Sequence, residues 1–155
     1  MDINIEAKKL KDNRLLKTEE EIRNFEQAVE NIISMKDVNN IKYLCLGFDD
    51  STEHDEVMFG LIHAIESYDK MFGAEEALAK LAEAIPDMYP HAKEWVKVLH
   101  KRILNDAPSR KIYVKVISNS DSSIKKTVID LFSDIMEKNP SKFEMAVNEF
   151  LAGLN

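Results

Sequence analysis

The sequence predicts an all-α fold, with seven to nine antiparallel helices packed as a compact HEAT-like pile or an irregular stacked bundle. Three observations predict it. Only four glycines and four prolines occur among 155 residues, and breakers this scarce leave long helices joined by short turns. Apolar residues recur at three- and four-residue spacing along nearly the whole chain, the period of a helix that buries one face. Two capping boxes, Thr18-Glu-Glu-Glu21 and Ser141-Lys-Phe-Glu144, mark helix starts by pairing a hydroxyl acceptor with a carboxylate three residues on. The length fits one domain over residues 1–155, able to bury roughly 68–70% of the surface it exposes unfolded. Short turns make successive helices antiparallel neighbours. No repeat period is regular enough to choose between pile and bundle.

Residues 2–14 form a short first helix with Ile3 and Leu10 inward and Ile5 a further inward candidate. The Thr18 box opens a helix over 19–35 through Ile22, Phe25, Val29 and Ile32. Val38, Ile41, Leu44 and Cys45 make another short helix that stops at Gly47, a natural C-terminal glycine. Asp50 caps a central helix with Glu53 at the reciprocal position, and Val57, Met58, Leu61, Ile62, Ile65, Tyr68 and Phe72 share its core stripe. Gly73 ends it. A helix over 74–85 follows, stopped by Pro86, and then one over 91–104 with Trp95, Leu99 and Ile103 inward. Residues 111–118, KIYVKVIS, hold strand formers. With no second strand to pair with, a lone strand would leave its backbone groups unsatisfied, so helix is the better reading. Residues 120–137 form a helix through Ile124, Val128, Leu131, Phe132 and Ile135, and the Ser141 box opens the last.

Charge is unevenly spread. The net is −7, but residues 49–76 carry nine acids against Lys70 alone, whereas residues 93–126 carry nine basic residues against three acids. Overall acidity opposes direct binding of DNA or RNA, which requires clustered cations to neutralise phosphate. The single cysteine, Cys45, lies among apolar neighbours and fits a reducing compartment. The N-terminus has no apolar run of a signal peptide, and nowhere do some eighteen apolar residues follow one another. The expectation is a cytoplasmic protein with no membrane segment.

The most informative stretch is FDDSTEHDEVMFGLIHAIESYD, residues 48–69. Helix capping and dipole compensation explain three or four of Asp49, Asp50, Glu53, Asp55 and Glu56. Acidity beyond that costs self-repulsion and points to a surface that meets a basic partner. In helical phase, Glu56, Phe59, His63, Glu66 and Lys70 share a second stripe, and an aromatic among acids resembles an interface hot spot. The partner-binding candidates are therefore Asp49, Asp50, Glu53, Asp55, Glu56, Phe59, His63 and Glu66. Asp69 and Arg102 both project on apolar faces, so they are expected near each other or each beside another counter-ion. Other chemistry finds little support. His54 and His63 lack the spacing of a zinc-peptidase pair, and DDSTEHDE lacks the glycine and closing glutamate of an EF-hand. Cys45 and the serines have no recognisable base. His91 and His100 fall on polar helix faces and read as surface residues. Neither catalytic residues, metal ligands nor a cofactor are expected.

Two segments, LCLGFDDSTEHDEVMFGLIHAIESYD (44–69) and EWVKVLHKRILND (94–106), resemble the immunity protein 30 family of bacterial polymorphic toxin systems. They are similar to its aspartate-rich turn and following helix, and to its tryptophan helix ending in Arg-Ile-Leu-Asn. The likeness extends over most of residues 40–140, with these two segments its distinctive part. It implies a protein that binds and neutralises the C-terminal toxic domain of a toxin encoded beside it, inside the producing cell. Many such domains are nucleases, basic because they grip phosphate, and an acidic inhibitor would be steered to them. The rival reading is a helical adaptor or scaffold module docking a basic partner protein. Either would act as a monomer or dimer without direct nucleic-acid or membrane contact.

Overall fold

The computed structural model describes residues 1–155 and is all-helical, without a strand. Its helices are α1 (Ile3–Asp12), α2 (Glu19–Ser34), α3 (Ile41–Leu44), α4 (Asp55–Glu66), α5 (Tyr68–Phe72), α6 (Ala74–Ala84), α7 (Lys93–Asn105), α8 (Ala107–Ser118), α9 (Ser122–Lys138) and α10 (Pro140–Gly153). Single 3₁₀ turns at Val38–Asn40, Cys45–Gly47 and Ile85–Met88 join several of them. α1 packs on α2, α2 on α4, α3 on α6 and α6 on α8, while α7, α8, α9 and α10 close together at the C-terminal end. Contacts that skip neighbours in this way make an irregular bundle. One continuous apolar core runs from Leu10 to Phe150.

Local signals explain most boundaries. Thr18 Oγ1 accepts the backbone N–H of Glu21 at 3.1 Å to start α2. Residues 111–118 are helical, within α8, which begins earlier than its β-branched run suggests. Asp106 accepts from the N–H of Ser109 at 3.1 Å and Pro108 occupies the first turn, where its missing N–H costs nothing. Burial of Tyr113, Val116 and Ile117 then overrides strand propensity. Gly73, at φ +93°, separates α5 from α6 in a conformation that side-chain-bearing residues seldom adopt.

Several expectations need correction. Ile5 is 64% exposed and outside the core. Gly47 has a different reason from helix termination: a Cβ there would lie 2.9 Å from Leu61 Cδ2 and 3.0 Å from Leu10, so α1 and α4 close over bare backbone. Ser141 does not cap α10. Pro140 already stands in its first turn, and the Ser141 hydroxyl donates to Asn139 Oδ1 at 3.2 Å. The central helix is likewise interrupted at Ser67, whose hydroxyl donates to Ala64 O at 2.5 Å between α4 and α5. His100 is fully buried, because α7 is covered on two sides rather than one.

Candidate protein-binding face

The acidic turn before α4 is pinned at both ends. Asp50 does not cap α4. Its Oδ2 accepts the backbone N–H of Glu94 at 3.2 Å, capping the start of α7 from a position 44 residues away, while its own N–H donates to His91 O at 2.8 Å. Partial desolvation there raises the Asp50 carboxyl above its ordinary range, against the lowering effect of the α7 amides. Asp49 Oδ2 lies 3.2 Å from Arg14 Nε with both side chains largely buried, and Asp49 Oδ1 accepts the Ser51 N–H at 2.8 Å. Glu53 is not part of a cap either: its N–H donates to Leu15 O at 3.0 Å, tying the turn to the α1–α2 connection. α4 starts with His54 at its N-cap and no side-chain cap, with Asp55 and Glu56 in its first turn.

The eight candidates therefore separate. Asp49 and Asp50 hold the turn in place. Glu53, Asp55, Glu56 and His63 are exposed. Phe59 is 38% exposed and meets Trp95 edge-on, with ring centroids 5.5 Å apart at 79°. Trp95 is in turn stacked on Phe48 at 6.0 Å. This aromatic row anchors α4 to α7 and leaves one edge of Phe59 outside, next to unpaired acids. Glu66, two turns further along the same α4 face, is engaged internally: it takes both Arg102 Nε and Nη2 at 2.8 Å in a two-point ion pair.

That ion pair borders a cleft of about 420 Å³ between α4–α6 and α7–α8. Asp69 and Asp106 line it too. Asp69 and Arg102 thus share one cleft, but Arg102's counter-ion is Glu66, and Asp69 has no ion-pair partner. Burial first, then the charges of Glu66 and Asp106, push the Asp69 carboxyl up to about 6.

A second depression escaped sequence reading. Between α2 and α4 runs an apolar groove of about 660 Å³, floored by Phe25, Val29, Ile33, Val57, Leu61 and Ala64 and edged by Glu26 and Glu30. Its signals were present. Ile33 widens the α2 face beyond what one neighbour needs, and Gly60 stands in the interior of α4, where glycine costs about 1 kcal/mol relative to alanine. Nothing lies within 4 Å of where a Gly60 side chain would begin.

Two potentially reactive side chains are enclosed. Burial pushes the Cys45 thiol up to about 12, so it stays protonated. His100 is buried beside Tyr113. No group of three or more His, Cys, Asp or Glu side chains is arranged to hold a metal ion. No helix is long and apolar enough to cross a membrane.

The chain matches the family described as immunity protein 30 over residues 12–113. The match begins nearer the N-terminus than the recognisable segments and takes in α2, the acidic turn, α4 and the tryptophan helix α7. No curated protein and no solved structure matches the chain.

Proposed function

Since the chain belongs to the immunity protein 30 family, we propose that it binds the toxic C-terminal domain of a toxin encoded beside it and blocks that domain in the producing cell's cytoplasm. The contact is made through the exposed acids Glu53, Asp55 and Glu56 with Phe59 and His63. One observation carries this reading: these acids have no cationic partner within the molecule, whereas Asp49, Asp50 and Glu66 do have internal partners. Fixed acids around a half-exposed aromatic ring suit a basic target, since complementary charge speeds association and a packed ring slows release. A nuclease fits best, because its active surface is built to hold phosphates and an acidic protein competes for the same cations.

Inhibition is stoichiometric binding, not catalysis. Such inhibition needs no activated nucleophile or base, and the Cys45 thiol and the His100 ring are both buried. Protection of the cell calls for affinity near nanomolar, about −12 kcal/mol, over roughly 1,600 Å² of total interface. The test pairs a pull-down of the adjacent gene's C-terminal domain with growth rescue of cells expressing that domain. Tight binding with rescue supports immunity. Absence of both removes it and leaves an adaptor role for the acidic face.

A further inference from the structure

The α2–α4 groove is an apolar depression of about 660 Å³ that lies beside the acidic stripe. Phe25, Val29 and Ile33 from α2 meet Val57, Leu61 and Ala64 from α4 along its length. Its only charged lining residues are Glu26 and Glu30, and neither takes part in an ion pair. Across the groove, Glu56 lies one turn before Gly60 and is exposed. The groove therefore has an apolar floor between acidic lips, and Gly60 opens its α4 wall.

We infer that this groove seats an amphipathic helix of the toxin domain, with its apolar stripe on the Phe25–Leu61 floor and Lys or Arg side chains facing Glu26, Glu30 and Glu56. The inference rests on the immunity reading and adds where, and by what kind of segment, the partner is held. A helix fits better than an extended strand. Both walls are helices whose backbone groups are already paired, so no edge is free to add a strand, whereas a helix satisfies its own backbone over an apolar floor. From Val57 to Ser67 the groove follows α4 and the residue after it over ten residue steps, about 15 Å at 1.5 Å per residue, or about three turns of a bound helix. A second copy of this chain is a poorer occupant. Two-fold pairing through one patch would bring Glu26, Glu30 and Glu56 against their own copies.

Filling the groove tests this without disturbing the fold. The Gly60 position is open, and glycine is the poorest helix former there apart from proline, so Gly60→Phe should fold and melt no lower than the wild type. The probe is the C-terminal domain of the adjacent toxin gene, inactivated by mutation and titrated by calorimetry, with growth rescue by the active form. The expected result is at least a hundredfold weaker binding by Gly60→Phe, and at least tenfold by Glu26→Lys/Glu30→Lys. Wild-type affinity in a folded Gly60→Phe variant overturns the groove and leaves immunity standing. A wild-type protein that neither binds nor rescues overturns the immunity reading, and the groove proposal with it. If sedimentation shows a wild-type dimer that Gly60→Phe converts to monomer, the occupant is a second copy and the inference is wrong.

Discussion

His100 Nε2 lies 2.7 Å from Tyr113 Oη, linking α7 to α8 where neither side chain reaches solvent. Nδ1 of the same ring lies 2.8 Å from Val96 O. A carbonyl only accepts, so Nδ1 carries the proton and donates, and Nε2 accepts from the tyrosine hydroxyl. Phe132 and Phe150 close on the pair from α9 and α10. Burial lowers the His100 pKa to about 4, keeping the ring neutral at physiological pH. The unfolded chain takes up this proton near pH 6.5, the folded one near 4. This contribution is therefore whole above pH 6.5 and is lost as pH falls toward 4, by up to about 1.4 kcal/mol per pH unit. His100→Ala should cost about 3 kcal/mol at neutral pH through the cavity and the orphaned tyrosine hydroxyl. Urea unfolding at pH 7 and pH 5 checks both; equal midpoints for variant and wild type at pH 7 would refute the linkage role.

Asp69 titrates with the opposite sign. Its folded pKa, about 6, is above the ordinary value of 3.8, so its contribution is fully present below pH 3.8 and is lost as pH rises through 6. Asp69→Asn should therefore stabilise the protein at neutral pH. The half-exposed site is screened by solvent, which limits the gain to about 1 kcal/mol. His100, fully enclosed, dominates between pH 4 and 6.5, and the wild type should lose net stability on acidification from these two groups. Thermal melts of Asp69→Asn at pH 7 and pH 4.5 decide it. A gain at pH 7 that shrinks at pH 4.5 is expected; no gain at pH 7 would mean that the cleft solvates the carboxylate.

Lys97 is buried on α7 with its Nζ 2.6 Å from Asp134 Oδ2 on α9 and 3.4 Å from Glu94. The hydrogen bond that Lys97 donates to Asp134 raises the Lys97 pKa and holds it charged in spite of burial. Truncating the carboxylate strands that charge, so Asp134→Ala should cost about 1–2 kcal/mol, reduced from a fully buried pair because Asp134 is partly exposed. Removing both charges with Lys97→Met and Asp134→Ala together should recover part of the loss. A double-mutant cycle in urea measures the coupling, and strict additivity would show that the pair contributes nothing.

The difference between what could and could not be read from sequence is one of range. The Thr18 cap acts over three residues, and the sequence shows it. The α8 helix follows from the absence of a strand partner, and its own start signal is Asp106 followed by Pro108. The family likeness rested on the acidic turn and the tryptophan helix, which the structure joins through Phe59 and Trp95. What local pattern cannot show is a partner that arrives from far along the chain. Asp50 looks like a cap for α4 because both are adjacent in sequence, yet it caps α7. Arg102 reads as a lone charge on a core face because Glu66 is 36 residues away, and at 40% exposure the pair is worth well under the several kcal/mol of a buried one. His100 reads as polar surface because periodicity reveals one buried face of a helix, not two.

That division sets the last prediction. Neutralising the whole acidic turn would confuse binding with folding, because Asp49 holds Arg14 and Asp50 holds the start of α7. Asp49→Ala/Asp50→Ala should lower stability by about 1–2 kcal/mol, the usual loss for a helix cap with a partly buried ion pair. Glu53→Gln/Asp55→Asn/Glu56→Gln removes three exposed charges with no internal partner and should leave the melting temperature within a few degrees. Steering by surface charge acts on association, so this triple variant should bind the adjacent toxin domain about tenfold more slowly at low salt, with an unchanged dissociation rate. Raising salt to 0.5 M shortens the screening length to about 4 Å, and the two proteins should then associate at similar rates. Stopped-flow binding across salt concentrations makes the comparison. An association rate that the triple variant leaves unchanged at low salt would move the steering charge off this turn, onto the glutamates of α2.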